Sequence, residues 1–306
     1  MGIGMIGFRE EKAMVKKIDI HVHTRWPAGP LTSPKGTYCT PQELLEKYEE
    51  YGIERGVILP GVNPECNRVP QSLREVEGIC ADYPDRFSWF MNIDPRAVSN
   101  SPDTDFTYYI EYYKEHGAKG LGEIGSLLPF DDGRVMKLFA DCEKCGVPVL
   151  FHMTLRREGT YGLIDDLGLP RLEKTLKAFP KLQFLAHSQA FWAHMSADIT
   201  AEKAGGYPEG PVTEGRVAEL MRRYPNLCGD LSAGSGGNAI MRDETYGLAF
   251  LHEFADRLYY GTDFCAPFNV FPLGGWLDRM CAEGKLSEED YTKIVRTNAA
   301  KLLGIE

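Results

Sequence analysis

The chain has 306 residues, 43% of them hydrophobic, enough for one large buried core. A formal net charge of -10 argues against nucleic acid or an anionic membrane as the main partner, yet allows a small anionic substrate held by one or two arginines. No stretch reaches the roughly 18 uninterrupted apolar residues of a membrane helix, and the 8 cysteines follow no disulfide-framework spacing; a soluble, cytosolic protein with free thiols is expected.

Residues 1–16 read as an N-terminal extension, without the basic start and apolar run of a signal peptide. The first strand is Lys17-Ile-Asp-Ile-His-Val-His23, where apolar Ile18, Ile20 and Val22 alternate with Asp19, His21 and His23. Residues two apart on a strand share a face, so His21 and His23 project side by side and suit one divalent metal ion. After a Gly/Pro-rich loop over 24–40, Thr40, Pro41 and Glu43 form a helix start with a capping box. Further strands follow at 55–60, 87–93, 120–125, 147–153, 182–187, 227–231 and 257–263. Helices are expected near 71–82, 103–116, 133–145, 169–179, 213–223 and 243–256, and two more close the chain, the last opening at Ser287. An insertion of about twenty residues follows the sixth strand, and a Gly/Ser-rich loop, Ser232 to Gly237, follows the seventh.

Strand and helix alternate eight times, and most strands are continuous apolar runs, as in a parallel sheet covered on both faces. The expected fold is therefore α/β, a single-domain (β/α)8 TIM barrel over residues 17–306. An open doubly wound sheet would carry a nucleotide fingerprint after the first strand, and there is none.

In such a barrel the C-terminal strand ends share one mouth. His21, His23, Glu123, His152, His187 and Asp263 all sit at strand ends, on five different strands, and are the candidate metal ligands. His116, after a helix and before Gly117, reads as structural, and His194 and His252 as unremarkable. Cys142 and Cys145 lie inside a helical pattern with no second pair and read as unligated. Arg25, just past the first-strand motif, is the first candidate for holding a substrate carboxylate. Arg68, Arg156 and Arg242 are weaker ones, each equally suited to a surface role. Trp192 is a candidate pocket wall, although a packed aromatic is the commoner role. The 232–237 segment could cradle an anion on its amides, or simply be a flexible active-site loop; Asp230 and Arg242-Asp243 flank it.

The His21-x-His23 motif, the fifth- and sixth-strand histidines, Gly261-Thr262-Asp263 and the closing Thr297-Asn-Ala-Ala-Lys-Leu-Leu-Gly304 resemble the amidohydrolase superfamily, in its amidohydrolase-related (amidohydrolase 2) branch. The resemblance implies a divalent-metal enzyme, zinc being the first choice, with one or two ions and a small-molecule substrate. It also implies Asp263 as the catalytic base and a possible homodimer. Where members with a carboxylated lysine bridge carry lysine, this chain has Glu123, which resembles the bridge of TatD-like deoxyribonucleases. In the binuclear pattern His21, His23 and Asp263 hold one ion, His152 and His187 a second, and Glu123 joins them. In the mononuclear decarboxylase pattern His21, His23, His152 and Asp263 hold one ion, and His187 is free as an acid or base. The first reading is a hydrolase using metal-activated water on an ester, lactone or amide. The alternatives are a nonoxidative decarboxylase or hydratase, a TatD-like phosphodiesterase and a noncatalytic metal-binding barrel.

Overall fold

The computed structural model describes residues 15–26, 36–65, 67 and 69–305. Arg68 therefore lies outside the described residues, as does most of the N-terminal extension. Among the described residues nine strands run in chain order: β1 (Lys17–Val22), β2 (Ile53–Ile58), β3 (Phe87–Trp89), β4 (Leu121–Ile124), β5 (Val149–Thr154), β6 (Leu163–Ile164), β7 (Phe184–His187), β8 (Leu227–Asp230) and β9 (Leu258–Tyr259). Every pairing is parallel, in the orders β1-β2-β3 and β4-β5-β7-β8-β9, and the short β6 pairs with β5 off this path. Both seams between the two sheets are bridged. Met91 pairs with Leu121 beyond β3, and Val22 pairs with Phe264 beyond β9. Hydrogen bonds from Ile20 N to Tyr260 O (3.0 Å) and from Asp263 N to His21 O (2.8 Å) reinforce the second seam. The ring is the expected TIM barrel, and β7, β8 and β9 are its sixth, seventh and eighth strands.

One apolar cluster draws on nearly every ring strand: Ile18 and Ile20, Val57 and Leu59, Phe90, Leu150, Leu185, Cys228 and Tyr259. This is the barrel interior, which Ala299 and Leu303 also pack against. A larger cluster lies between the ring and the outer helices, which include α1 (Pro41–Tyr51), α2 (Leu73–Asp82), α3 (Thr107–Glu115), α4 (Gly133–Cys145), α5 (Pro170–Ala178), α6 (Gln189–Ala193) and α7 (Arg216–Arg223). The capping box at the start of α1 is present, with Thr40 N donating to Glu43 Oε2 at 2.9 Å and the Thr40 side chain accepting from Glu43 N.

Two features depart from simple sequence periodicity. Between Asp19 and Val22 strand β1 uses three steps where β2 uses two, Gly56 to Ile58, which is a β-bulge. Ile18 and Ile20 face the interior, the Asp19 carboxylate turns outward to the Tyr48 hydroxyl of α1 (3.0 Å), and Val22 joins the outer cluster. The bulge returns His21 and His23 to the barrel mouth, which strict alternation with inward-facing Ile18 and Ile20 would forbid. Secondly, the Gly/Ser-rich segment after β8 is not a loop but the opening of α8 (Ala233–Met241), followed by α9 (Glu244–Glu253). Close packing explains the composition: a Cβ on Gly236 would lie 2.2 Å from the Leu231 carbonyl oxygen. The chain closes with α10 (Leu273–Ala282), α11 (Glu288–Thr292), a π-helical turn and α12 (Asn298–Leu303).

Candidate metal centre

The six expected ligands come together at the C-terminal ends of the ring strands. His21 Nε2 and His23 Nε2 are 3.1 Å apart. Glu123 Oε2 lies 3.7 Å from each of them, and Asp263 Oδ1 lies 3.6 Å from His21 and 3.3 Å from His23. Donors about 2.1 Å from one ion at tetrahedral angles stand about 3.4 Å apart, so the His21–His23–Glu123 and His21–His23–Asp263 separations each fit a single divalent ion. The other Glu123 oxygen, Oε1, is 2.8 Å from His152 Nδ1. Glu123, His152 and His187 form a second group of donors all within 4.8 Å of one another. Glu123 thus presents one oxygen to each group, an arrangement that fits one ion or a glutamate-bridged pair.

The hydrogen bonds behind the imidazoles sharpen the fit. The outward-facing Nδ1 of His21 meets Asp230 Oδ2 at 2.7 Å, and that of His23 meets the Leu59 carbonyl oxygen at 2.8 Å. Both partners are acceptors, so each Nδ1 carries the proton and each Nε2 turns a lone pair toward the shared point. Two lone pairs 3.1 Å apart repel unless a cation or proton lies between them.

Electrostatics respond to this crowding. Burial works against the ionised form of Glu123, but the His152 hydrogen bond and the nearby His21 and His187 rings outweigh it and hold the carboxyl well below the usual range. For Asp263 burial is likewise outweighed, here by His21 and His23, and its pKa is lowered. Burial would lower the pKa of His23, but its bond to Asp263 and the charges of Asp263 and Glu123 raise it to about 8. His152 shifts downward, chiefly through burial.

Asp230 and Ser232 have a larger part than the sequence indicated. Asp230 is fully buried at the end of β8, and its Oδ2 lies 3.3 Å from His187 Nδ1 as well as 2.7 Å from His21 Nδ1. Ser232 Oγ is 2.9 Å from His187 Nδ1 and 3.2 Å from His21 Nδ1. His187 Nε2 points toward Asp263 Oδ2 at 3.9 Å. Asp19 was also missed as a support. It accepts from His21 N (3.1 Å), Thr262 N (2.9 Å) and Thr262 Oγ1 (2.6 Å), tying the bulge of β1 to the segment bearing Asp263. Burial, only partly offset by these bonds, raises its pKa to about 6. Tyr161 lies over the His152 ring with centroids 4.1 Å apart, and Gly162 lets that loop close, since a Cβ there would sit 2.8 Å from His152 Cδ2.

The expected substrate residues divide. Arg25 lines a small cavity with His23 and Tyr38; its Nη1 donates to the Val69 carbonyl (2.6 Å), and its Nε has no partner among the described residues. Trp192 is not brought to the mouth surface: it is buried, and its indole N–H donates to the Asp230 carbonyl at 2.9 Å. Arg242 bonds Ser196 Oγ (2.5 Å) and the Gly210 carbonyl (3.3 Å), holding the segment after β7. Arg156 lines a cavity of ≈ 710 Å³ with Lys203 and Tyr207. The remaining histidines have local partners: His116 the Tyr112 carbonyl, His194 the Ala190 carbonyl and Gly168 N–H, and His252 the Asp290 carboxylate. Cys142 and Cys145 are free thiols. Among the described residues no helix is long and apolar enough to cross a membrane.

Comparison with known proteins agrees with this architecture. An uncharacterized TIM-barrel protein from Bordetella bronchiseptica superposes with a TM-score of 0.65 at 18% identity, covering 95% of this chain and 99% of the other. An amidohydrolase from Burkholderia multivorans with bound zinc gives 0.61 at 13% identity, covering 95% and 100%. A 2,6-dihydroxybenzoate decarboxylase from Rhizobium gives 0.59 at 17% identity, covering 95% and 99%. No curated protein matches the sequence. The family described as Amidohydrolase (Amidohydro_2) matches residues 18–305, nearly the whole chain. The protein belongs to that family and is an enzyme of the amidohydrolase superfamily.

Proposed function

We propose that the protein is a metal-dependent hydrolase that uses activated water on an ester, lactone or amide of a small, carboxylated substrate. The observation that supports this most is that Glu123 Oε2 and Asp263 Oδ1 each stand within 3.7 Å of both His21 Nε2 and His23 Nε2. A divalent ion there supplies Lewis-acid polarisation of a carbonyl and acidifies water toward neutral pH. Zinc suits the nitrogen and carboxylate donors, although manganese suits them as well.

The protein's own groups account for the proton movements. Asp263 takes a proton from the attacking water as the new C–O bond forms, and returns it to the alcohol or amine as the old bond breaks. His187 has its Nδ1 engaged and presents Nε2 toward Asp263, where it can donate to the developing oxyanion. Arg25, beside His23, pairs with the substrate carboxylate in place of Glu75, whose Oε2 lies 3.6 Å from its Nη2.

A second reading, a mononuclear nonoxidative decarboxylase, draws support from the same His187. It stands outside the four-donor cluster and is placed to deliver a proton to carbon once CO2 departs. The test is to load the protein with Zn2+ or Mn2+ and screen carboxylated lactones and esters beside aromatic acids in 18O-labelled water. Label in the product supports hydrolysis. Release of CO2 with no label in the remaining organic product replaces it with the second reading, and no uptake of metal sinks both.

A further inference from the structure

We infer that Asp230, with Ser232, is a positioning residue that sets two histidines at once, one a metal ligand and one beside it. This rests on the metal-centre reading above. Asp230 is 0% exposed, and nearest-partner distances divide the work. The Nδ1–H of His21 donates to Asp230 Oδ2 at 2.7 Å, and His187 Nδ1 is hydrogen-bonded to Ser232 Oγ at 2.9 Å. Each group also lies near the other ring, Asp230 Oδ2 at 3.3 Å from His187 and Ser232 Oγ at 3.2 Å from His21. The two rings are consequently only 4.5 Å apart, centroid to centroid.

The pair is itself held firmly. Asp230 Oδ1 accepts from Ser232 N at 3.0 Å, which fixes the carboxylate plane, and the Trp192 indole holds the Asp230 carbonyl. The outcome is geometric. With both Nδ1 atoms tied to one buried hub, both Nε2 atoms are directed away from it. That of His21 faces His23, Glu123 and Asp263, and that of His187 faces Asp263. A histidine ligand whose second nitrogen is fixed by a carboxylate is held in the ligating tautomer, and loss of such a partner weakens metal binding about 10–100-fold. Here one carboxylate from β8 orients side chains from β1 and β7, strands that are not neighbours in the ring.

The test compares wild type, Asp230→Asn and Ser232→Ala by competition for Zn2+ with a chromophoric chelator. An amide has one acceptor oxygen where the carboxylate has two, so in Asp230→Asn either the imidazoles or Ser232 N–H lose their acceptor. Asp230→Asn is expected to bind Zn2+ about 10–100-fold more weakly, and Ser232→Ala within about threefold of wild type. Equal affinity of Asp230→Asn and wild type overturns the inference, as does an equal loss in both variants. If wild type takes up no Zn2+, the metal-centre reading fails instead. Should Asp230→Asn not fold, 15N-histidine NMR of Zn2+-loaded wild type decides. A slowly exchanging Nδ1 proton on His21 with Nε2 ligated is the expected result, and ligation through Nδ1 overturns the inference.

Discussion

Metal binding at the His21–His23–Glu123–Asp263 cluster should weaken steeply on mild acidification, because in the metal-free protein His23 holds a proton that an ion must displace. Burial opposes that charge, but the bond to Asp263 and the charges of Asp263 and Glu123 prevail, raising the pKa from 6.5 to about 8. Competition by one proton multiplies the apparent dissociation constant by 1 + 10^(pKa − pH), which changes about 50-fold between pH 8 and 6 for a pKa near 8. An ordinary histidine with a pKa near 6.5 would give only about fourfold over the same interval. Glu123 and Asp263 have lowered pKa values and stay ionised across this range. The same raised pKa contributes stability to the metal-free fold that is fully present below pH 6.5 and is lost as pH rises through about 8. Melting temperatures with and without metal should therefore separate as pH increases. Chelator competition at several pH values measures the slope directly. A change of fourfold or less would refute the reasoning. A slope near two protons would instead mean that His187, raised to about 9 because Asp230, Glu123 and Asp263 outweigh its burial, also gives up a proton and ligates.

Three substitutions probe other parts of the site. Asp263→Asn should lower turnover of a verified substrate by at least about 100-fold, the scale of general-base catalysis, with thermal unfolding shifted by only a few degrees. Arg25→Gln should raise KM for a carboxylated substrate about tenfold or more while leaving its neutral ester unaffected, read from paired steady-state assays. Trp192→Phe should destabilise the fold by about 1–3 kcal/mol in urea, because the buried Asp230 carbonyl loses the indole N–H, its hydrogen-bond donor at 2.9 Å.

What the sequence made legible was local. Apolar runs bounded by turn residues marked the eight ring strands, and the Thr40–Glu43 box marked a helix start, because a few neighbouring residues decide each of these. The strand-end histidines could be found for the same reason: a parallel barrel brings all its C-terminal strand ends to one face, so position along each strand is enough. The parts that stayed hidden depend on partners distant in sequence. Whether Asp230 flanks a loop or serves as a buried acceptor depends on β8 lying beside β7 and, with only β9 between, close to β1. The 232–237 segment has the composition of a loop, and glycine is a poor helix former, yet close approach to the Leu231 carbonyl favours glycine over any larger residue there.

The bulge in β1 is the most consequential of these hidden features. Alternation correctly puts His21 and His23 on one face, but it also puts them opposite Ile18 and Ile20, which fill the barrel interior. Both sets can face inward only if the strand gains a residue between them, and the register against β2 shows that it does. The extra residue is stabilised by Asp19, whose carboxylate accepts the His21 N–H on one side and Thr262 on the other. The same buried side chain therefore sets the histidine pair on β1 and the backbone next to Asp263. A substitution there should disturb both halves of the donor cluster together, although Asp19 itself touches none of its donor atoms.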